Sequence, residues 1–408
     1  QYATDVMTEE SFQGHDVIAL YPGNLNFVKR TAYIRKAGSR KHNFKIFELI
    51  NSLPLPLFGG IQNPDDFMKR MPKSVFKEFL LKIHPDIIHV HTLMGLPIEF
   101  FVAAKELKIK VIYTTHDYFG LAPEPNFYKK NMSYDSEDTV SNWIEASQGS
   151  YSTKKLRIFQ LSIYPVIKKV LKVIKLTRKQ KNSIAEKQKT NDTLINEYKN
   201  LMQYYRKMFL MVDGFHFNSN VTKQVFEKVL GSNLPGEVIS ITDSAVSHIK
   251  NQVSSKTFSD KMKIAYIGPD LAYKGFDAFI LLTQKLSPDR YSFFTYGYEP
   301  KKTFENVSQE GRYKSDELQQ VYRNIDVLIV PSKWKETFGL IVLESLAYNT
   351  PVYVSKNVGA QDLLDKKFVF SDVDDLVKKI ENNEWKNEKF PRIKSIREHV
   401  SELIDFYS

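Results

Sequence analysis

Glu336 and Glu344 stand eight positions apart, where an apolar strand at 326–330 ends at Pro331 and a polar loop leads through Gly339 into a run of helix formers. A carboxylate accepts hydrogen bonds from neighbouring hydroxyls. The first amides of a helix have no intrahelical acceptor and favour phosphate. Acids beside an anion site look contradictory until they are assigned to one ligand with both hydroxyls and phosphates, such as a nucleotide sugar. The plainer reading is an acidic loop before a buried helix, with Glu344 solvated.

Other residues bear on the choice. Gly268 ends the strand 263–267, and Lys274-Gly275 closes the loop that follows. A lysine above a parallel sheet can neutralise a diphosphate, since open α/β sheets bind ligands at the carboxyl ends of their strands. His116 follows the strand 111–115 at the equivalent edge of the first half. His89 and His91 alternate along a strand with no third ligand at metal spacing, so they read as packing residues. Asp372-Val373-Asp374 has the form of a metal-holding Asp-x-Asp, but Ser371 and Asp372 stand where a helix cap belongs, and acids are ordinary in a first turn. No metal is required if helix amides and Lys274 supply the positive charge.

The elements that must position these residues are short apolar strands alternating with longer helical patterns. Strands are expected at 16–21, 86–90, 111–115, 263–267, 291–296, 327–330 and 352–354. That alternation predicts an α/β chain with parallel sheets and crossover helices, and 408 residues suit two doubly wound, Rossmann-like domains. The expected division is 1–245, 246–385, and a last helix in 386–408. Residues 1–13 read as a helix with no strand before it. There is no cysteine, which excludes disulfides and thiolate metal sites. No apolar stretch nears the roughly 20 residues that span a bilayer.

Charge is concentrated in one segment. Residues 151–210, read as a helical insertion, carry fifteen Lys and Arg against Glu186, Asp192 and Glu197, a charge of +12 in a chain whose net charge is +11. Lys168, Lys169, Lys172, Lys175, Arg178 and Lys179 flank an apolar stripe at Val166, Ile167, Val170, Leu171, Val173 and Ile174. This is the pattern of a helix lying on an anionic bilayer, and equally of a helix packed on its own domain with its lysines in water. Aromatic residues are sparse among these lysines, so nucleic acid is not expected as a partner.

The Glu-x7-Glu spacing around Phe338-Gly339-Leu340 resembles that of retaining glycosyltransferases of family four, which have the GT-B fold. Pro85-Asp86-Ile87-Ile88-His89-Val90-His91, the His116 strand end, 213–219 and the Lys274-Gly275 loop extend the resemblance over nearly the whole chain. It departs from the family pattern at Pro269, where an arginine usually stands.

The resemblance implies two Rossmann-like domains facing across a cleft, with the last helix crossing back to the first. It also implies a first strand and a glycine-rich loop ahead of the helix at 1–13, so the numbered chain is expected to start inside the first helix with both missing. It implies a hexosyl-type glycosyltransferase that moves sugar, with retention, from a nucleotide diphosphate donor, expected to be a UDP-sugar, to a saccharide or lipid-linked acceptor. Glu336, His116 and Lys274 would then be catalytic. Glu344, Gly339, Leu340, Phe338, Thr337, Gly268 and Lys274 would bind the donor. No cofactor is implied. Cell-surface polysaccharide synthesis in the cytoplasm, peripheral to the inner face of a membrane, is the expected setting. Two rivals stay open: a nucleotide-sugar epimerase or hydrolase on the same fold, and a non-catalytic scaffold that binds polyanions or membranes through 151–210.

Overall fold

A computed structural model describes residues 1–38, 43–56, 59–129, 132–135, 139–161, 191–231, 233–247, 261–382 and 391–408. The six candidate membrane-contact residues between Lys168 and Lys179 lie outside the described residues, as do residues 162–190 of the basic insertion. Among the described residues, no helix is long and apolar enough to cross a membrane.

The second half is built on one six-stranded parallel sheet. Its strands, across the sheet, are Val307–Gly311, Tyr291–Tyr296, Met262–Ile267, Val327–Val330, Val352–Ser355 and Val369–Phe370. Numbered along the chain, that order is 3-2-1-4-5-6, so the direction of winding reverses between Met262–Ile267 and Val327–Val330. Ligands of open α/β sheets bind at such a reversal, outside the carboxyl ends of the strands. The loops after these two strands are 268–275 and 331–339.

Side chains alternate between the faces of this sheet, as strand geometry requires. Ile264, Tyr266, Val327 and Ile329 pack with Phe276, Phe279 and Leu282 of the helix Phe276–Lys285. Ala265, Ile267, Leu328 and Val330 pack on the opposite face with Val342, Leu343 and Leu346 of the helix Leu340–Ala347. Both faces are covered, which is why these strands read as continuous apolar runs with no polar alternation.

The first half carries two main sheets. Ile87–Val90, Lys110–Thr114, Gly214–Phe217 and Gly236–Val238 form a four-stranded parallel sheet in that order. Ile18–Pro22 pairs in parallel with Lys45–Ile50, which pairs antiparallel with Tyr33–Lys36. The antiparallel pair corrects the expectation of parallel sheets alone. The connection at 37–44 is too short for a parallel crossover, which takes a dozen residues or more, so the chain can only turn back.

The last helix, Ile396–Tyr407, buries His399, Val400 and Leu403 and ties the chain's two ends together. Its His399 Nε2 shares a 2.6 Å hydrogen bond with the Tyr2 hydroxyl. The Tyr407 hydroxyl lies 2.7 Å from His89 Nδ1 and donates to Glu10 Oε1 at 3.1 Å. Lys110 Nζ donates to the Tyr407 carbonyl at 2.6 Å.

Candidate active site

The two loops at the winding reversal meet through a glycine. Gly275 has φ +79°, and a Cβ there would stand 1.7 Å from the Pro331 carbonyl oxygen, so only glycine lets the first loop reach the end of strand Val327–Val330. This approach sets Lys274 beside the second loop. Lys274 Nζ lies 2.6 Å from Glu336 Oε1, and Ser332 Oγ donates to Glu336 Oε2. The Lys274 ammonium also sits 5.2 Å from the ring centroid of Trp334. Both Glu336 oxygens are therefore engaged by donors, and the carboxylate is buried.

The loop that carries Glu336 is held to the first half on its next residue. Thr337 Oγ1 donates to the His116 carbonyl at 3.0 Å, and Ser219 Oγ donates to the Thr337 carbonyl at 2.8 Å. Ser219 is also the N-cap of helix Asn220–Leu230, whose first amide donates to Asp362 Oδ2 at 2.6 Å. Three hydrogen bonds thus join the strand ends of the two halves around Glu336.

Gly339, in a left-handed conformation at φ +97°, starts helix Leu340–Ala347. The Glu336 carboxyl carbon lies 3.7 Å from where a Gly339 Cβ would be, next to the amides that open this helix. Phe338 is a core residue, and its carbonyl accepts from Ala360 N at 2.7 Å. Gly268 lies against the Tyr266 ring and Gly297 at the mouth of strand Met262–Ile267.

Glu344 has surroundings of its own. The Tyr322 hydroxyl reaches its Oε2 at 3.4 Å, and Tyr322 stacks on Tyr348 at 4.8 Å between centroids. Burial, then the nearby charge of Asp243, raises the Glu344 carboxyl above its usual range. The geometry thus brings Lys274, Glu336, Thr337, Gly339 and the His116 backbone together and leaves Glu344 one helical turn further on.

The His116 ring belongs to a cluster that spacing does not reveal. His116 Nε2 lies 3.0 Å from His91 Nδ1, the two rings stack, and Tyr2 meets His116 edge-on at 4.8 Å. His89 Nε2 and His216 Nδ1 both reach Thr114 Oγ1, at 2.5 and 2.9 Å. Burial first, then the His216 imidazole, lowers His91 to about 4. Burial lowers His216 to about 4 against the opposing bond to the Ile239 carbonyl, with the Lys394 charge adding to the drop. Burial, then neighbouring imidazoles, holds His89 and His116 well below the ordinary histidine range. Burial likewise raises the Asp117 carboxyl to about 6. Among the described residues no group of three or more His, Asp or Glu has the arrangement to hold a metal ion.

Residues 248–394 match the family model for glycosyl transferases group 1. The whole chain superposes on a UDP-forming α,α-trehalose-phosphate synthase from Burkholderia xenovorans with a TM-score of 0.51 and 9% identity, covering 100% of this chain and 94% of that one. The fold is GT-B. An E. coli structure described as trehalose-6-phosphate bound with UDP-2-fluoro glucose is similar at TM-score 0.50 and 11% identity, covering 99% and 91% of the two chains. In sequence, a 42.6 kDa protein of the cps region of Klebsiella pneumoniae is 21% identical over 312 residues, which is 74% of this chain. The chain spans 66% of that relative's length.

Proposed function

We propose that this protein is a nucleotide-sugar-dependent glycosyltransferase that transfers a hexosyl group with retention to a saccharide or lipid-linked acceptor. The observation that carries the reading is the Lys274–Glu336 pair at the winding reversal, inside the stretch that matches the group 1 model. A UDP-sugar is the favoured donor, because the synthase of the same fold from Burkholderia is described as UDP-forming and the E. coli structure as bound with UDP-2-fluoro glucose.

The donor lies across the loops at the reversal. Its diphosphate takes the Lys274 ammonium and the amides of Gly339 and Leu340, so the ammonium leaves Glu336 for phosphate as the donor binds. Glu336, released from that pair, accepts from sugar hydroxyls. Glu344 accepts from the ribose diol. Charge preorganised in a buried site stabilises a departing diphosphate more than the same groups could in water, and this carries the lost Arg contact at Pro269. The acceptor hydroxyl attacks from the face of the leaving group, and a donor phosphate oxygen takes its proton. His116, beside the Thr337 contact, lines the sugar's side of the cleft. The bonds from Thr337 and Ser219 hold the halves together and keep water from the reacting carbon.

The basic segment 151–210 supports an anionic membrane surface as partner, and the relative in a cps region supports a role in polysaccharide assembly at the cytoplasmic face. The test is incubation with a panel of nucleotide sugars and saccharide acceptors, with product linkage read by NMR. A new glycosidic bond of the donor's own anomeric configuration supports the reading. Free sugar as sole product favours a hydrolase, an isomerised donor an epimerase, and an inverted linkage removes retention.

A further inference from the structure

Two buried donors beside the Lys274–Glu336 pair have no hydrogen-bond partner among the described residues: the Tyr118 hydroxyl and Trp334 Nε1. They come from opposite halves of the chain. Tyr118, fully buried after strand Lys110–Thr114, meets Trp334 of the 331–339 loop edge-to-face, with centroids 6.3 Å apart and planes at 88°. Trp334 is two residues before Glu336, its carbonyl accepts the Glu336 amide at 2.8 Å, and its ring lies beneath the Lys274 ammonium. The Tyr118 hydroxyl is raised well above its ordinary range, first by burial and then by the charges of Asp135 and Glu336, which places it in the field of that carboxylate.

Unpaired buried donors cost stability, and folded proteins keep few of them. Two on aromatic rings that meet across the junction of two domains are explained if a ligand supplies the missing acceptors. A phosphate is a poor occupant, since it would stand against the Glu336 carboxylate. A hydroxyl serves both sides: it donates to Glu336 and accepts from an indole N–H or a phenol. The faces of a sugar ring also suit two aromatic side chains.

We propose that Tyr118 and Trp334 are specificity-determining residues that donate to hydroxyls of the transferred sugar, in a subsite shared with Glu336. The proposal rests on the reading of the chain as a nucleotide-sugar glycosyltransferase. A site built to pair a hydroxyl rejects the analogue that lacks it, because the buried donor is then left unpaired. The donor's sugar, more than its nucleotide, is selected here.

The test compares the wild type with Tyr118→Phe and Trp334→Phe, using the UDP-sugar that the transfer assay selects, its monodeoxy analogues, and UDP alone as probes. Tyr118→Phe is expected to melt at or above the wild-type temperature without ligand, because an unpaired hydroxyl is removed. It is expected to bind UDP as the wild type does and to lose about tenfold in kcat/KM with the intact donor. Discrimination against one particular deoxy position is expected to collapse in the same variant, and Trp334→Phe should repeat the pattern at the same or a second position. Unchanged kcat/KM and unchanged deoxy discrimination in both variants would overturn the proposal, as would an equal loss of UDP and sugar affinity with a lower melting temperature, or a collapse confined to deoxy acceptors. A wild type that transfers no sugar from any donor removes the underlying reading, and that failure is visible before any variant is made.

Discussion

Lys274 Nζ and Glu336 Oε1 lie 2.6 Å apart, although 62 residues separate them and they follow different strands. Each is held from behind: the lysine passes over the Trp334 ring, and the carboxylate accepts from Ser332. Under the proposed function this pair, at the carboxyl end of a sheet where the winding reverses, exchanges partners with a ligand that brings both phosphate and hydroxyls.

Replacing either member should therefore cost turnover more than folding. Glu336→Ala and Lys274→Ala are each expected to lower kcat/KM by at least tenfold, about 1.4 kcal/mol of transition-state stabilisation. Circular dichroism should show both folded. Wild-type rates in folded variants would remove both residues from the chemistry.

The closure bond offers a subtler change. Thr337→Val keeps the side-chain shape and loses the donor to the His116 carbonyl, a neutral bond worth about 1 kcal/mol. The expected result is a several-fold loss in kcat/KM, recovered by Thr337→Ser, which keeps a hydroxyl. A valine variant with the serine variant's kinetics would show that the bond does not hold the loop.

Gly275 is a packing requirement. A Cβ at this position would overlap the Pro331 carbonyl oxygen, and φ +79° is strained for any L side chain. Gly275→Ala should destabilise by about 3 kcal/mol or more, seen as a lower melting temperature, and should weaken donor binding because the Lys274 loop must move away. A shift of less than a degree or two would contradict the close approach of the loops.

Acid should unfold the protein through the buried imidazoles. With His91 and His216 at about 4 in the folded protein and an ordinary value near 6.5 when unfolded, the unfolded chain binds more protons as pH falls below 6.5. Stability should then drop with falling pH from about 6.5 to about 4, by up to ~1.4 kcal/mol per pH unit for each histidine. Glu10 works in the opposite sense. Burial raises it to about 7, so its contribution is present below about 4.5 and lost as pH rises through about 7. Denaturant melts from pH 4 to 8 should peak between about 6.5 and 7, and replacing His91 and His216 with Gln should flatten the acid limb. An unchanged acid limb in that double variant would exclude His91 and His216 as the cause.

Much of this architecture is legible in the chain. The strands of the second half announce themselves because both faces are covered, and 327–330 or 352–354 are then apolar at every position. The pair Tyr33–Lys36 and Lys45–Ile50 escapes the same reading because exposed residues such as Arg35, Lys36 and Lys45 interrupt it. Glu336, Lys274 and Gly275 are visible as loop residues at strand ends, yet only the 3-2-1-4 strand order makes their loops neighbours. The histidine cluster is beyond sequence reasoning altogether. His89 and His91 look like packing residues in their own strand, and what surrounds them comes from three strands, the first helix and a last helix more than 300 residues away. Tyr118 and Trp334 gave a weaker signal, each an aromatic residue two positions from a candidate site residue, which their unpaired donors turn into a reason for notice.

Donor binding at the Lys274–Glu336 pair is tested most directly by titrating UDP-sugars into the wild type and into Lys274→Ala while following thermal unfolding. A ligand at 100 times its dissociation constant adds about 2.7 kcal/mol of stability, so a clear rise in melting temperature is expected for the wild type with at least one UDP-sugar, and little or none for the variant at the same concentration. Equal stabilisation of both proteins, or of neither by any nucleotide sugar, would contradict a donor site at this pair.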